Sequence, residues 1–401
     1  MTRIVVVGAG QAALSLVARL RALGHQGPIT MIGEEPAPPY QRPPLSKGFL
    51  MGAIPEERLY LRPADFYAEA GIDLHTGTRA VQIDQVARVV QTTAGEVPYD
   101  VLVLATGAVP RRLPGAIGGE LPGVHTLRGI ADVQAIRPAF QPGARLLVVG
   151  GGYIGLEAAA VARKMGLEVM LVEAADRILK RVAAPETSDW FRDLHHGQGV
   201  TIHEGQGLAR LRGGHRVQGA IMADGREIAA DLVIAGVGVD PATELAETAG
   251  IRLRNGIATD ELGRTDAPDI WAVGDCASFL CRGARMRLES VQNAIDMAEV
   301  VAANILGAAT AYEPVPWFWS DQYDVKLQIA GLNTGYTDVV VRDGGEGRSH
   351  WYFADTRLLA VDAMNDGRAY MVGKRLIETG QSPPPATLAD PATDLKALLR
   401  A

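Results

Sequence analysis

RIVVVGAGQAALSLVARLRALGHQGPITMIGEE, Arg3 to Glu35, is the stretch whose reading decides the fold. Ile4 to Val7 is a β-branched run with the composition of a strand buried on both faces. Gly8 and Gly10 follow at once, with Ala13 closing a G-x-G-x-x-G/A turn. Apolar residues at helical spacing come next (Leu14, Val17, Leu20, Leu23), then a second strand from Ile29 to Ile32. Glu34 falls at the acidic position expected after such glycines. Strand, turn, helix, strand and acid in this order predict a dinucleotide seated on a helix N-terminus. Gly8 makes the tight turn, Gly10 admits a pyrophosphate, Ala13 lets helix and strand pack, and Glu34 accepts from ribose hydroxyls.

The pattern recurs further along the chain. Leu146 to Val149 reads as a strand and Gly150-Gly-Gly152-Tyr-Ile-Gly155 as a complete fingerprint. Glu157 to Met165 reads as the helix, Val169 to Val172 as the second strand, and Glu173 as the terminal acid. Repetition of one supersecondary unit is more specific than either copy, and it predicts two bound dinucleotides. A carboxylate at 173 would repel a 2′-phosphate and so favours NADH, although Arg177 lies close by.

The 401 residues suit two to three domains, and 47% hydrophobic residues with 46 glycines suit a glycine-turned α/β protein rather than a disordered chain. A net charge of −7 argues against nucleic acid as the main partner. Two cysteines are too few for a secreted disulfide framework. No apolar run reaches membrane-spanning length, and the first strand leaves no room for a signal peptide, so a cytoplasmic location is expected.

Between the fingerprints, Pro36 to Lys47 (PAPPYQRPPLSK) is a proline-stiffened segment carrying Arg42 and Lys47. Such composition ordinarily marks a solvated loop, but this one follows the ribose acid directly. Residues 99 to 107 (YDVLVLATG) should return the chain to the first sheet, and the Pro/Gly-rich connection from Pro110 to Gly123 marks a boundary. Ala230 to Pro241 is a strand and glycine turn that should close the second domain. IWAVGDC ends a strand with Asp275, either a ligand at the sheet's carboxyl edge or a simple turn aspartate. Glu289 to Leu306 has helical spacing, and its positive N-terminal end suits an electron-rich ring. From Trp317 the chain reads as short strands with glycine turns, forming a small α/β cap that ends in a helix from about Thr393 to Leu399.

On these motifs, together with RLESVQNA and PWFWSDQY, the chain resembles the FAD-dependent, NADH-using reductases of the putidaredoxin reductase type, which pass electrons to small [2Fe–2S] ferredoxins of oxygenase systems. The resemblance implies an α/β, glutathione-reductase-like fold. Residues 1–109 and 241–316 would bind FAD, 110–240 NADH, and 317–401 would form the cap. It implies FAD contacts at Gly8, Gly10, Gln11, Ala12, Glu34, Arg42, Lys47, Ala80, Arg128, Asp275, Val291 and Trp319. NADH would meet Gly152, Tyr153, Ile154, Gly155 and Glu173, with Gly238 and Glu289 nearer the nicotinamide. Val109 stands where relatives often carry arginine, so that contact is absent or supplied by Arg111 or Arg112. Lys47 and Glu157 are expected to pair beside the flavin as the catalytic residues; a glutamate favoured by a helix start is the plainer account of Glu157. Hydride chemistry belongs to the cofactors, and the protein supplies distance, orientation and field.

The implied partner is a small [2Fe–2S] ferredoxin, docked on cations drawn from Arg285, Arg287 and Lys326, with a monomeric reductase and a thiolate-haem monooxygenase or an aromatic-ring dioxygenase downstream. Cys276 and Cys281 follow the Gly-Asp turn rather than the first ribose acid, so they read as ordinary thiols and not a redox pair. No Cys or His cluster suggests a metal centre of the chain's own. The rival readings are an NADH oxidase and a redox-sensing flavoprotein.

Overall fold

Ile4–Val7 is completely buried, and both of its neighbours, Ile29–Ile32 and Val101–Leu104, run parallel to it. A strand with no solvent face has no use for alternation, which is why its sequence is a continuous apolar run. Ile72–His75 and Ile270–Ala272 complete this five-stranded sheet at its two edges. The helices Gln11–Ala22 and Val291–Ile305 pack against each other beside it.

The computed structural model describes residues 1–345 and 347–400. They fall into two units. The first comprises Met1–Gln41, Glu56–Val109 and Val239–Pro316; the second comprises Arg42–Pro55, Pro110–Gly238 and the chain from Trp317 onward. The Pro-rich segment is therefore divided, with Arg42, Ser46 and Lys47 in the second unit.

The second unit repeats the first sheet. Arg145–Val149 lies between Glu168–Val172 and Leu232–Ala235, with Thr201–His203 and Val124–His125 at the edges, all parallel. Its fingerprint helix runs Tyr153–Lys164, so it starts earlier than the Glu157 expected from periodicity. The cause is the fingerprint itself: Gly152 is the N-cap and Gly155 lies inside the helix, where helical apolar spacing has no marker. Glu157 is thus an interior, buried helical residue and not a helix-start glutamate.

From Trp317 the chain forms a five-stranded antiparallel sheet in the order Trp317–Gln322, Val325–Gly331, Arg357–Met364, Arg348–Ala354, Asp338–Asp343. A helix not anticipated from sequence, Gly367–Thr379, packs Tyr370, Val372 and Leu376 onto Trp351, Phe353 and Val361. Asp366 caps it by accepting from Ala369 N, and Gly380 ends it at φ 70°. The expected terminal helix is the 3-10 turn Leu395–Leu399, preceded by a short helix Pro385–Ala389. Among the described residues no helix is long and apolar enough to cross a membrane.

Candidate functional site

In the first unit Gly8 has φ 118°, and a Cβ there would lie 2.1 Å from the Ala105 carbonyl oxygen, so only glycine fits. Gly10 caps Gln11–Ala22 without a side-chain hydrogen bond, and nothing lies within 4 Å of where its Cβ would stand. The second fingerprint copies this division. Gly150 (φ 104°) would place a Cβ 2.5 Å from Gly236 O, Gly152 faces open space, and Gly155 would meet Gly150 O at 2.2 Å. Each turn therefore has one glycine for the bend and another beside an open, uncapped helix N-terminus with first-turn N–H groups to offer. That is the arrangement a pyrophosphate requires, and the residues present fit two dinucleotides.

The two acids differ. Glu34 is largely exposed with Arg79 Nη1 3.8 Å away. Glu173 is held on the backbone: Gly151 N donates to Oε2 at 2.6 Å and Ala175 N to Oε1 at 2.8 Å. Arg177, the residue that kept a 2′-phosphate in play, donates to Ser188 Oγ at 2.6 Å. Gly238 sits at φ 101° with Arg181 and Arg111 guanidinium nitrogens 3.3 and 3.8 Å from a would-be Cβ. Arg111 N also donates to Gly238 O, so a cation stands in this region in place of the side chain missing at Val109.

Lys47 and Glu157 do pair. Lys47 Nζ donates to Glu157 Oε2 at 2.7 Å, with both side chains largely shielded from water. Two residues absent from the sequence reading complete the cluster: Ser46 Oγ donates to the same oxygen at 2.5 Å, and Ser320 Oγ donates to Oε1 at 2.8 Å. Both carboxylate oxygens of a buried glutamate are thereby satisfied. Glu157 reaches this point from the second turn of its helix, against which both Pro43–Ser46 and Trp317–Gln322 pack. The only sequence signal for Ser320 was a polar residue at a buried position of PWFWSDQY.

Other candidates are placed as follows. Arg42 Nη1 donates to Arg128 O at 2.8 Å, and Arg128 N donates to Asp132, which closes the N-terminus of Ile130–Ile136. Half-buried Trp319 stacks on Trp317 at 5.5 Å between ring centroids. Tyr153 and exposed Ile154 open the second fingerprint helix. In the first unit, Ala80 begins the strand Ala80–Asp84, and Asp275 lies in the 3-10 turn after Ile270–Ala272. That turn touches the fingerprint helix, since a Cβ on Gly274 would be 2.9 Å from Ala12 Cβ. Val291 opens its helix just after the Ser290 cap. Glu289, also in the first unit, pairs with Arg287 at 2.5 Å.

That pair corrects the docking reading of Arg287, whose side chain is only 11% exposed and whose charge is already matched. Arg285 is exposed but donates to the Thr259 and Ser278 carbonyls, and Lys326 is exposed. Cys276 and Cys281 are free, buried thiols, and burial pushes both up from the usual thiol value.

Residues 2–298 match the family described as pyridine nucleotide-disulphide oxidoreductase, and residues 317–399 match the reductase C-terminal family. The chain belongs to the ferredoxin reductases of that family. Rhodocoxin reductase of Rhodococcus erythropolis is 42% identical over 399 residues, 98% of this chain and 93% of that one. The ferredoxin–NAD(+) reductase component of the biphenyl dioxygenase system of Paraburkholderia xenovorans is 38% identical over 406 residues, 99% of this chain and 98% of its own. The solved covalent putidaredoxin reductase–putidaredoxin complex superposes with a TM-score of 0.95 at 38% identity, covering 100% of this chain and 98% of that chain. The α/β two-fingerprint fold and the cofactors FAD and NAD(H) are those of this family.

Proposed function

We propose that the chain is the FAD-containing reductase of an oxygenase system. It oxidises NADH and passes electrons singly to a small [2Fe–2S] ferredoxin. The observation that carries this reading beyond family membership is the shielded Lys47–Glu157 pair, built from segments far apart in sequence. FAD and NADH, when bound, supply the hydride and one-electron chemistry. The chain's residues bind and orient them.

The N–H groups after Gly10, at Gln11 and Ala12, would hold the FAD pyrophosphate, and Glu34 a ribose. Ala80, Arg128, Asp275, Val291 and Trp319 are proposed as the remaining FAD contacts, with Arg42 beside Arg128. Gly152, Tyr153, Ile154 and Gly155 would hold the NADH pyrophosphate, with Glu173 on its ribose and Gly238 and Glu289 toward the nicotinamide. Glu157 would hold the Lys47 ammonium in one place, so that its positive charge is already oriented where negative charge accumulates on reduction.

In an anaerobic stopped-flow experiment, Glu157→Ala should reduce the rate of flavin reduction by NADH at least tenfold, about 1.4 kcal/mol, while FAD stays bound. An unchanged rate removes the pair from the reaction. The motif resemblance supports a ferredoxin serving a thiolate-haem monooxygenase, and the biphenyl dioxygenase relative supports the dioxygenase reading. Ranking transfer rates to [2Fe–2S] proteins of both systems, taken from the same source, decides between them.

A further inference from the structure

The strand Trp317–Gln322 turns two polar side chains, Ser320 and Gln322, into the interior, each with no exposed surface. Apolar residues at those positions would avoid the cost of burying polar groups, so hydrogen bonding must compensate it. Gln322 Nε2 lies 3.1 Å from Ser320 Oγ, and Gln322 Oε1 lies 2.8 Å from His195 Nε2. His195, also fully buried, has its other ring nitrogen 3.1 Å from the hydroxyl of Tyr323. Tyr323 is held at φ 58° in the tight hairpin turn after Gln322, a left-handed conformation that costs free energy for a bulky residue. Its ring also packs edge-on against His195 at 5.0 Å.

The direction of this chain follows from counting protons. The Glu157 carboxylate, paired with Lys47, only accepts, so Ser320 spends its single proton on it. Ser320 Oγ must then accept from the Gln322 amide N–H, which leaves the Gln322 oxygen to accept from His195 Nε2–H. His195 Nδ1 is consequently bare and accepts from Tyr323. Every donor points toward Glu157.

We propose that Ser320, Gln322, His195 and Tyr323 are positioning residues for the Lys47–Glu157 pair: a one-way hydrogen-bond chain that holds the carboxylate in place and adds oriented dipoles to the lysine's charge. The arrangement requires a neutral His195 in the Nε2–H form, and burial does push this histidine down to about 4. The proposal rests on the reading of Lys47 and Glu157 as the site of flavin reduction.

The first test is nitrogen-15 NMR of the histidine-labelled holoenzyme near neutral pH, with His195 assigned through His195→Asn. Protonated Nε2 and bare Nδ1 are expected; the Nδ1–H tautomer or an imidazolium would overturn the chain. The second test is anaerobic flavin reduction by NADH. Gln322→Glu is nearly isosteric but offers an acceptor where an N–H stood, so it draws the Ser320 proton away from Glu157. Gln322→Glu and Ser320→Ala should each slow the limiting rate about tenfold, with the NADH dissociation constant held within twofold. Wild-type rates in both, with Glu157→Ala slow, overturn the chain while leaving the pair intact. A wild-type rate in Glu157→Ala overturns both.

Discussion

Glu173 and Arg177 together decide which nicotinamide nucleotide the second fingerprint prefers. The glutamate is fixed by two backbone N–H groups, so its charge stands where a ribose 2′-phosphate would come. The arginine that could counter it is held by Ser188, whose hydroxyl is itself fixed by donating to Ile178 O at 2.7 Å. Removing the acid alone should therefore improve NADPH use little. The double change Glu173→Ala with Ser188→Ala should raise kcat/KM for NADPH about tenfold over Glu173→Ala, as the freed guanidinium can reach a phosphate. Steady-state rates with both nucleotides measure this; equality of the single and double variants would show that Arg177 plays no part. None of this was legible in sequence, where Arg177 was simply a cation near an acid.

At the scale of an element, the helix Tyr153–Lys164 separates two uses of glycine. Gly155→Ala would drive a methyl into the Gly150 carbonyl, and Gly152→Ala would place one in open space at the helix N-terminus. The first should destabilise the protein by about 1–3 kcal/mol, read as a lower Tm. The second should leave Tm unchanged but weaken NAD+ binding, measured by calorimetry. Loss of stability in Gly152→Ala, or none in Gly155→Ala, would contradict the assignment. These glycines were legible because a turn with φ near 100° and a backbone carbonyl within van der Waals reach admits no side chain. The start of that helix was not, since Tyr153-Ile-Gly155 carries no apolar period. The helix Gly367–Thr379 was missed for a related reason: its cap and terminal glycine are present, but the preceding strand pattern dominated the reading.

For the whole molecule, buried titratable groups set the response to acid. Burial depresses both His195 and His350 to about 4, so in the folded protein they stay neutral where an unfolded chain takes up protons. The unfolded state then binds more protons between pH 6.5 and about 4, and stability falls as pH falls through that window, by about 3 kcal/mol per histidine. His125 and His203 are depressed by burial and act in the same direction. Asp362 acts in the opposite direction: burial raises it to about 6, so the folded state binds the extra proton and stability declines as pH rises from about 4 to about 6. The histidines outnumber it, and net acid destabilisation is expected. Denaturant titrations at pH 7 and 5 should show that loss, reduced in His195→Gln and enlarged in Asp362→Asn. A wild-type protein equally stable at both values would refute the balance.

What the sequence by itself determined was everything encoded within one supersecondary unit. Two glycine fingerprints, each between a buried strand and an acid, required two parallel sheets and two dinucleotides, because turn geometry and apolar periodicity act over short spans of chain. Only the tertiary structure decided the company Glu157 keeps. Ser46 and Lys47, Glu157, His195, and Ser320 to Tyr323 come from four separated segments of one unit, and no local period links them. Their meeting depends on how the strand Trp317–Gln322 and the turn Pro43–Ser46 pack on the fingerprint helix, a long-range contact whose register is set by the whole buried surface.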